Sequence, residues 1–300
     1  MSAALRIGID LGGTKIAGIA LGPEGETRAE LRMAAPQGDY RATVRAIADA
    51  VLRLESEAGA KGSVGVGMPG SLSPVTGLVQ NSNSTWLNGR ALREDLVALL
   101  ERPVRFANDA NCFALSEAVD GAGRDARSVF GVILGTGCGG GLVFERKVID
   151  GPRAIGGEWG HNPLPWMTPQ EYPGPTCWCG RIGCMEVWVS GTALAADHLR
   201  VTGSALRAEE VAEAAVRGDG SCRATLDRHA SRLARGLAHV INIFDPEVIV
   251  LGGGLSRLDH LYSAVPPLAA PYVFAECKRV DIRPPRWGDA SGVRGAAWLW

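Results

Sequence analysis

Apolar residues of this chain are grouped in short, strand-like runs that glycine-rich turns separate. Residues 6–21 contain two apolar runs on either side of a turn at residues 12–15, and this order predicts a β-hairpin. The same pattern returns over residues 129–144, where the turn occupies residues 135–141. Two copies of this strand–turn–strand pattern predict that the chain consists of two homologous halves.

Helical periodicity marks two longer segments. Their apolar stripes consist of Val44, Ile47, Ala48, Val51 and Leu52, and of Leu233, Leu237, Val240, Ile241 and Phe244. We expect both stripes to face a core. A third glycine cluster, residues 252–254, follows a buried-strand pattern and precedes a helix-like segment, an order typical of nucleotide sites.

Composition narrows the class of protein. A chain of 300 residues with 46% hydrophobic and 21% charged residues is that of a soluble protein with one large or two ordinary domains. The formal charge of −1, without basic blocks, makes nucleic acid and anionic membranes poor partners. No apolar run has the length of a membrane span. The N-terminal residues lack a signal-peptide pattern, which favours a cytoplasmic location with reduced thiols.

One histidine and three cysteines have spacings that suit a tetrahedral metal ion. His161, Cys177, Cys179 and Cys184 form a set typical of zinc. Cys177 and Cys179 are too close in sequence for an easy mutual disulfide. We interpret the remaining cysteines as structural thiols; these are Cys112, Cys138, Cys222 and Cys277.

Polar residues at the ends of strand-like runs are candidates for chemistry, because loops at such positions often carry function. Glu158 and Glu186 bracket the metal set, so a bound ion would also fix two carboxylates. Asp109 lies in residues 106–111, where a short strand ends with an acidic residue. From that motif alone, Asp109 fits helix capping and catalysis equally well.

The second glycine turn matches the G-x-G-x-x-G spacing in form at Gly135, Gly137 and Gly140. A dinucleotide fold requires a helix after these glycines, whereas residues 142–144 continue as a strand. A hairpin tip that offers backbone N–H groups to phosphate oxygens fits better. A glycine-rich hairpin without a ligand is the alternative. No P-loop motif occurs in the chain.

Together these motifs resemble the ROK family of sugar kinases, in the actin and hexokinase superfamily. The resemblance runs nearly end to end and is carried by residues 10–15, 108–111, 135–141, 158–161 with the cysteines, and 245–254. It implies an α/β fold with two ribonuclease H-like domains and an interdomain cleft that closes on the sugar. Residues 1–112 and 288–300 would form the smaller domain, and residues 113–287 the larger domain with the zinc loop.

The resemblance also implies a role for each motif. Asp109 would be the catalytic base, and zinc would be structural. The remaining sugar ligands would be Gly70, Asn83, Asn108, Glu158, His161 and Glu186. Contacts with ATP and Mg²⁺ would come from Asp10, Gly12, Gly13, Thr14 and Lys15 in the first hairpin, and from Gly135, Thr136, Gly137, Gly253 and Gly254 in the second half.

Residues 81–89, 162–167 and 292–300 look most like those of bacterial fructokinases that also accept mannose. We therefore expect phosphorylation of D-fructose at the 6-hydroxyl, with mannose as a secondary substrate, by a homodimer. Glucose, N-acetylmannosamine and allose are alternative substrates. A ROK-type sugar-sensing regulator is disfavoured, because the first strand begins near residue 6 and leaves no room for a DNA-binding helix pair. A dinucleotide oxidoreductase is disfavoured because a strand, and not a helix, follows Gly141. A pure zinc-binding module leaves Asp10, Asp109 and the three glycine clusters unexplained.

Overall fold

Strands and helices alternate along residues 5–300, the part of the chain that the computed structural model describes. The predicted absence of a signal peptide concerns residues 1–4 in part, and these lie outside the described residues. The strands are β1 (Leu5–Leu11), β2 (Lys15–Leu21), β3 (Thr27–Ala34), β4 (Gly62–Met68), β5 (Ser71–Leu72), β6 (Val79–Gln80), β7 (Val104–Asn108), β8 (Ser128–Leu134), β9 (Cys138–Phe144), β10 (Lys147–Val148), β11 (Val248–Gly252) and β12 (Ile282–Arg283). The α-helices are α1 (Tyr40–Ala58), α2 (Leu92–Leu100), α3 (Asp109–Val119), α4 (Glu186–Val189), α5 (Gly191–Thr202), α6 (Ala208–Val216), α7 (Gly220–Phe244), α8 (His260–Ala269) and α9 (Ser291–Ala297).

Two five-stranded sheets repeat one topology. The first has the order β3-β2-β1-β4-β7 and the second β10-β9-β8-β11-β12. In the first, β1 is antiparallel to β2 and parallel to β4, which is parallel to β7. In the second, β8 is parallel to β11, and β11 to β12. The structure therefore shows the duplicated hairpin that the sequence predicted, and it has the α/β class expected.

The second hairpin turn is shorter than predicted. Cys138 begins β9, so only residues 135–137 form the turn, and Gly140 and Gly141 lie within the strand. These strand glycines meet close neighbours: a Cβ on Gly140 would lie 2.6 Å from the Trp159 ring, and one on Gly141 would lie 2.5 Å from the Ala110 carbonyl oxygen. Their small size serves packing and not turning.

The predicted helical stripes occur in α1 and α7, each with one or two residues misplaced. Val44, Ile47, Ala48 and Val51 are buried in the core of the first sheet, but Leu52 is 55% exposed. In α7 the apolar residues near its end, Ile241 and Phe244, are only half-buried. Asp39 caps α1 by accepting a hydrogen bond from the Ala42 N–H at 3.0 Å, and Gly59 ends it in the left-handed conformation.

Two compact units divide the chain. Unit 1 contains residues 1–124, 141–156 and 286–300, and unit 2 contains residues 125–140 and 157–285. The expected boundary at residue 112 differs from this division because it would cut α3. That helix packs tightly on α9, and a Cβ on Gly295 would overlap the backbone of Cys112. Unit 1 is also slightly the longer of the two, and not the smaller.

Candidate active site

Two acidic residues of unit 1 lie at the carboxyl ends of parallel strands. The strand register pairs Asp10 of β1 with Gly67 of β4, and Met68 of β4 with Asn108 of β7. Asp109 follows as the first residue of α3. Ligands of open α/β sheets bind at this edge. The fold thus brings Asp10 and Asp109 to one edge of the first sheet.

The proximity of these carboxylates changes the ionisation of Asp10. Burial, and after it the charge of Asp109, raises the pKa of Asp10 from 3.8 to about 6, while Lys15 acts in the opposite direction. Burial and the same two carboxylates raise the pKa of Cys112 well above its usual range, so this thiol stays neutral. Carboxylate oxygens are the protein ligands that Mg²⁺ prefers. The edge is therefore chemically suited to a divalent cation.

The N-terminus of α3 separates the two roles that the sequence left open for Asp109. Asn108 is the N-cap residue, and its Oδ1 accepts a hydrogen bond from the Ala110 N–H at 2.9 Å. Asp109 Oδ1 accepts from the same N–H at 2.8 Å. Because Asn108 already supplies the cap, capping does not account for a carboxylate at position 109.

Two loops of unit 1 contain the predicted sugar ligands Gly70 and Asn83. Asn108 Nδ2 donates to the Gly70 carbonyl oxygen at 3.2 Å. Gly70 has a φ of +76°, which favours glycine. The loop that contains Asn83 is fixed by Asn88, whose amide bonds both the N–H and the carbonyl of Ser82 at 2.9 Å. Asn83 itself is exposed, as a substrate ligand requires.

The tip of the first hairpin is open to solvent. Gly13, Thr14 and Lys15 are exposed, and the Gly12 N–H donates to the Lys15 carbonyl at 2.9 Å within the turn. Neither glycine adopts the left-handed conformation. A Cβ on Gly12 would lie 3.1 Å from the Lys15 carbonyl oxygen, so this glycine lets the turn close tightly. Gly13 leaves its backbone uncovered, which agrees with a phosphate-binding turn.

In unit 2, Glu186 is held at both carboxylate oxygens. Oε2 accepts from the Cys138 N–H at 3.0 Å, and Oε1 accepts from the Trp178 indole N–H at 2.6 Å. A Cβ on Gly137 would lie 2.6 Å from Oε2. Glu186 thus joins the second glycine turn to the cysteine loop. Glu158 is exposed and precedes a 3₁₀ turn over Trp159–His161.

The four predicted zinc ligands come together in unit 2. One ligand atom from each of His161, Cys177, Cys179 and Cys184 lies within 4.8 Å of the others. Cys177 Sγ is 3.7 Å from His161 Nδ1, and the Sγ atoms of Cys179 and Cys184 are 3.7 Å apart. Zinc–sulfur bonds of about 2.3 Å at the tetrahedral angle separate two sulfurs by about 3.8 Å. The spacing fits a tetrahedral zinc ion.

The thiols of this cluster have unequal acidities. The backbone N–H of Arg181 lowers the pKa of Cys179, whereas burial, and then Cys179, raises that of Cys184 to about 12. A cation would be needed to hold all three as thiolates, and this is what a bound metal supplies. Of the remaining cysteines, Cys112, Cys138 and Cys222 are buried, and Cys277 is exposed.

A cavity of about 470 Å³ lies in unit 2 beside the second glycine turn. This volume is within the roughly 300–1,000 Å³ of small-molecule sites. Its lining includes Gly135, Thr136 and Gly254. A Cβ on Gly135 or Gly254 would meet no atom within 4 Å, so these glycines leave space that a ligand can use. Gly253 has a φ of +76° and shapes the turn.

Sequence reasoning missed several residues of this cavity. The first turn of α5 contributes Gly191 and Thr192, and Arg207 precedes α6. The Gly191 N–H donates to the Gly135 carbonyl at 2.7 Å, and Thr192 Oγ1 donates to the Thr136 carbonyl at 2.7 Å. The sequence did contain one signal, because Ser190 followed by glycine is typical of a helix N-cap. The backbone N–H groups in the first turn of a helix favour anions.

No helix among residues 5–300 combines the length and the apolar character needed to cross a membrane.

Comparison with protein families gives a match along nearly the whole chain. The model described as "ROK family" matches residues 6–300. An N-acetyl-D-glucosamine kinase of Photobacterium profundum is 39% identical over 296 residues, which cover 97% of this chain and 98% of that protein.

Solved structures agree with this match. A ROK hexokinase from Thermus thermophilus superimposes with a TM-score of 0.87 at 31% identity, covering 98% of this chain and 97% of the other. A ROK family glucokinase from Streptomyces griseus, in complex with glucose and AMPPNP, gives a TM-score of 0.78 at 28% identity, with 99% of both chains covered.

Proposed function

The chain belongs to the ROK family, and on that premise we propose that it is an ATP-dependent sugar kinase that phosphorylates N-acetyl-D-glucosamine at its 6-hydroxyl. The observation that carries the substrate is the 39% identity with an N-acetyl-D-glucosamine kinase over 97% of this chain. The related glucokinase that binds glucose and AMPPNP supports a sugar and a nucleotide as the two substrates.

D-Fructose, with mannose as a secondary substrate, is the competing proposal. It rests on the resemblance of residues 81–89, 162–167 and 292–300 to bacterial fructokinases. The curated relatives with 38–39% identity carry the name N-acetyl-D-glucosamine kinase instead. We therefore rank the acetylated sugar first.

Asp109 takes the proton of the attacking sugar hydroxyl in this proposal. Its position after the Asn108 cap leaves a carboxylate at a strand end, where a general base can reach a substrate. Gly70, Asn83 and Asn108 of unit 1 bind sugar hydroxyls, because amide and carbonyl groups supply the paired donors and acceptors that a polyol requires.

Unit 2 supplies the remaining sugar ligands. Glu158, His161 and Glu186 bind hydroxyls in our proposal. Hydrogen bonds from Trp178 and Cys138 already hold the Glu186 carboxylate in place. Sugar binding therefore loses no conformational entropy at this side chain. If zinc occupies the cluster, it fixes the His161 ring as well, and its role is structural.

Both glycine turns contribute to nucleotide binding in the proposal. Gly12, Gly13, Thr14 and Lys15 of unit 1 and Gly135, Thr136 and Gly137 of unit 2 contact phosphate groups, while Gly253 and Gly254 lie near adenosine. Asp10 would help to hold Mg²⁺ through water, and the ion would neutralise phosphate charge. Phosphoryl transfer depends chiefly on positioning and charge neutralisation, so these groups are sufficient.

The homodimer expected from the resemblance stays a prediction. Analytical ultracentrifugation of the purified protein across a concentration series tests it, with a single monomer boundary as the contradicting result.

A panel of sugars tests the proposed substrate. We expect the highest kcat/KM with N-acetyl-D-glucosamine when this sugar is compared with D-fructose, mannose, glucose and N-acetylmannosamine at saturating Mg·ATP. A higher value for fructose would select the competing proposal. Absence of turnover with every sugar would contradict the reaction class.

A further inference from the structure

Four charged side chains are buried together in unit 2. They are Glu171, Asp197 of α5, and Arg232 and Arg235 of α7, and each is at most 7% exposed. Burial of charge costs free energy unless every group is paired and hydrogen-bonded. A well-packed apolar cluster would stabilise the fold at least as well. The cluster is therefore a candidate for a role beyond stability.

Glu171 accepts hydrogen bonds from both arginines of the cluster. Arg235 donates to its Oε1 at 2.7 Å and to its Oε2 at 2.9 Å, and Arg232 Nε donates to Oε1 at 2.9 Å. Burial alone would raise the pKa of Glu171, but hydrogen bonds from Arg235, the Thr168 N–H and Arg232 lower it to about 2. Helix α7 thus holds Glu171 as a carboxylate.

Arg235 also holds the backbone of residues 162–171, here named the linking segment. Its Nη1 donates to the Trp166 carbonyl at 2.7 Å and to the Pro165 carbonyl at 3.4 Å. Trp166 has a φ of +47°, in the left-handed region, which is strained for a bulky residue. The guanidinium of Arg235 therefore ties a strained turn of the linking segment to α7.

The linking segment is joined directly to two of the four metal-site residues. It begins immediately after His161. Residues 162–164 pair antiparallel with residues 183–185, with Pro163 opposite Cys184, and the backbone hydrogen bonds on either side are 2.8 and 3.0 Å long. A shift of the linking segment would therefore move His161 and Cys184.

We propose that Glu171 and Arg235 are positioning residues of the metal site, which hold the linking segment against α7 so that His161 and the cysteines keep the geometry that zinc requires. This inference rests on the zinc site of the proposed function. Groups that orient metal ligands contribute to metal affinity without contacting the ion. The buried charges then serve to fix one arrangement of the linking segment.

The test is the rate at which zinc leaves the purified protein for an excess of a coloured chelator, without sugar or ATP. We expect Glu171→Gln to release zinc at least about tenfold faster than the wild type, the usual lower limit for lost support of metal ligands. Asp197→Asn is the matched control. It also removes a buried carboxylate that pairs with Arg232, at 3.0 Å, but the hydrogen bonds of Asp197 go to arginines of α5 and α7. Its release rate should equal that of the wild type, although both variants should lower Tm.

A second pair of variants keeps the positive charge and so disturbs folding less. In Arg235→Lys a single ammonium group replaces the planar fork that reaches Glu171 and the Trp166 carbonyl together. We expect zinc release to accelerate about tenfold, since a hydrogen bond to a charged group is lost. Arg228→Lys is the control on the same helix, because Arg228 donates to Asp197 at 2.8 Å and not to the linking segment.

The KM for sugar connects this inference with the proposed function. His161 is a sugar ligand in that proposal, so Glu171→Gln should raise the KM for N-acetyl-D-glucosamine, whereas Asp197→Asn should not. Faster zinc release with an unchanged sugar KM would confirm the positioning role and remove His161 from the sugar site.

Equal zinc release in Arg235→Lys and the wild type overturns this inference. Equal acceleration in Glu171→Gln and Asp197→Asn does so too, because the cluster then only stabilises the fold, and so does a wild type in which elemental analysis finds no zinc. These results leave the proposed kinase activity intact. A wild type that does not phosphorylate N-acetyl-D-glucosamine refutes the proposed substrate and leaves the zinc measurements to decide this inference.

Discussion

Replacing Asp10 by asparagine should stabilise the fold while removing activity. The carboxylate of Asp10 is ionised at neutral pH at a cost, because burial and the charge of Asp109 disfavour the negative form. Asparagine keeps the shape without the charge. In our proposal Asp10 helps to hold Mg²⁺, and the same substitution should therefore remove most sugar kinase activity.

The pKa shift gives the size of the effect. A rise from 3.8 to about 6 corresponds to about 3 kcal/mol of unfolding free energy once both states are ionised. The pKa of Asp10 is higher in the folded state than in the unfolded state. The loss of folding stability is therefore absent below pH 3.8 and grows as the pH rises from there through about 6. From these values, the unfolding free energy of Asp10→Asn should exceed that of the wild type by about 1.5 kcal/mol at pH 5 and by about 3 kcal/mol at pH 8.

Urea denaturation of the two proteins from pH 5 to pH 8, without nucleotide or Mg²⁺, measures this difference. Asp49→Asn, which removes an exposed carboxylate of α1, is the control and should follow the wild type at each pH. A difference between Asp10→Asn and the wild type that is absent, or that shrinks as the pH rises, would refute the electrostatic reasoning.

Four other substitutions test separate parts of the account. Asp109→Asn should lower kcat at least about a hundredfold while sugar and ATP still bind; near-normal turnover would leave Asp109 with a helix-terminal role only. Elemental analysis should find about one zinc per chain, lost in Cys179→Ser but not in Cys277→Ser, and a metal-free, fully active wild type would contradict the zinc proposal. Trp178→Phe keeps the ring but removes the bond to Glu186, and should raise the KM for sugar with zinc content and the KM for ATP unchanged; an unchanged sugar KM would show that Glu186 needs no such support. Gly135→Ala adds a methyl group to open space in the unit 2 cavity, so the KM for ATP should rise without a fall in Tm, and an unaltered KM would place the nucleotide elsewhere.

Local signals in the sequence were sufficient where spacing alone determines the structure. The two glycine-linked hairpins and the four residues His161, Cys177, Cys179 and Cys184 were predicted from patterns within about 25 residues, and the fold brings each set together.

Properties that depend on tertiary packing could not be obtained this way. The first turn of α5 reaches the cavity of unit 2 only because Gly191 bonds the backbone of Gly135, 56 positions earlier. In the sequence, Trp178 is only the residue between two cysteines. Its function becomes visible in the structure, where its indole N–H donates a hydrogen bond to Glu186.

Sugar-dependent release of ADP tests the central claim most directly. Purified protein with Mg·ATP and N-acetyl-D-glucosamine should produce ADP and an equal amount of N-acetyl-D-glucosamine 6-phosphate, identified by phosphorus NMR, and Asp109→Asn should produce neither at a comparable rate. ADP release that does not depend on any sugar, or a sugar-dependent rate that Asp109→Asn retains, would contradict the account.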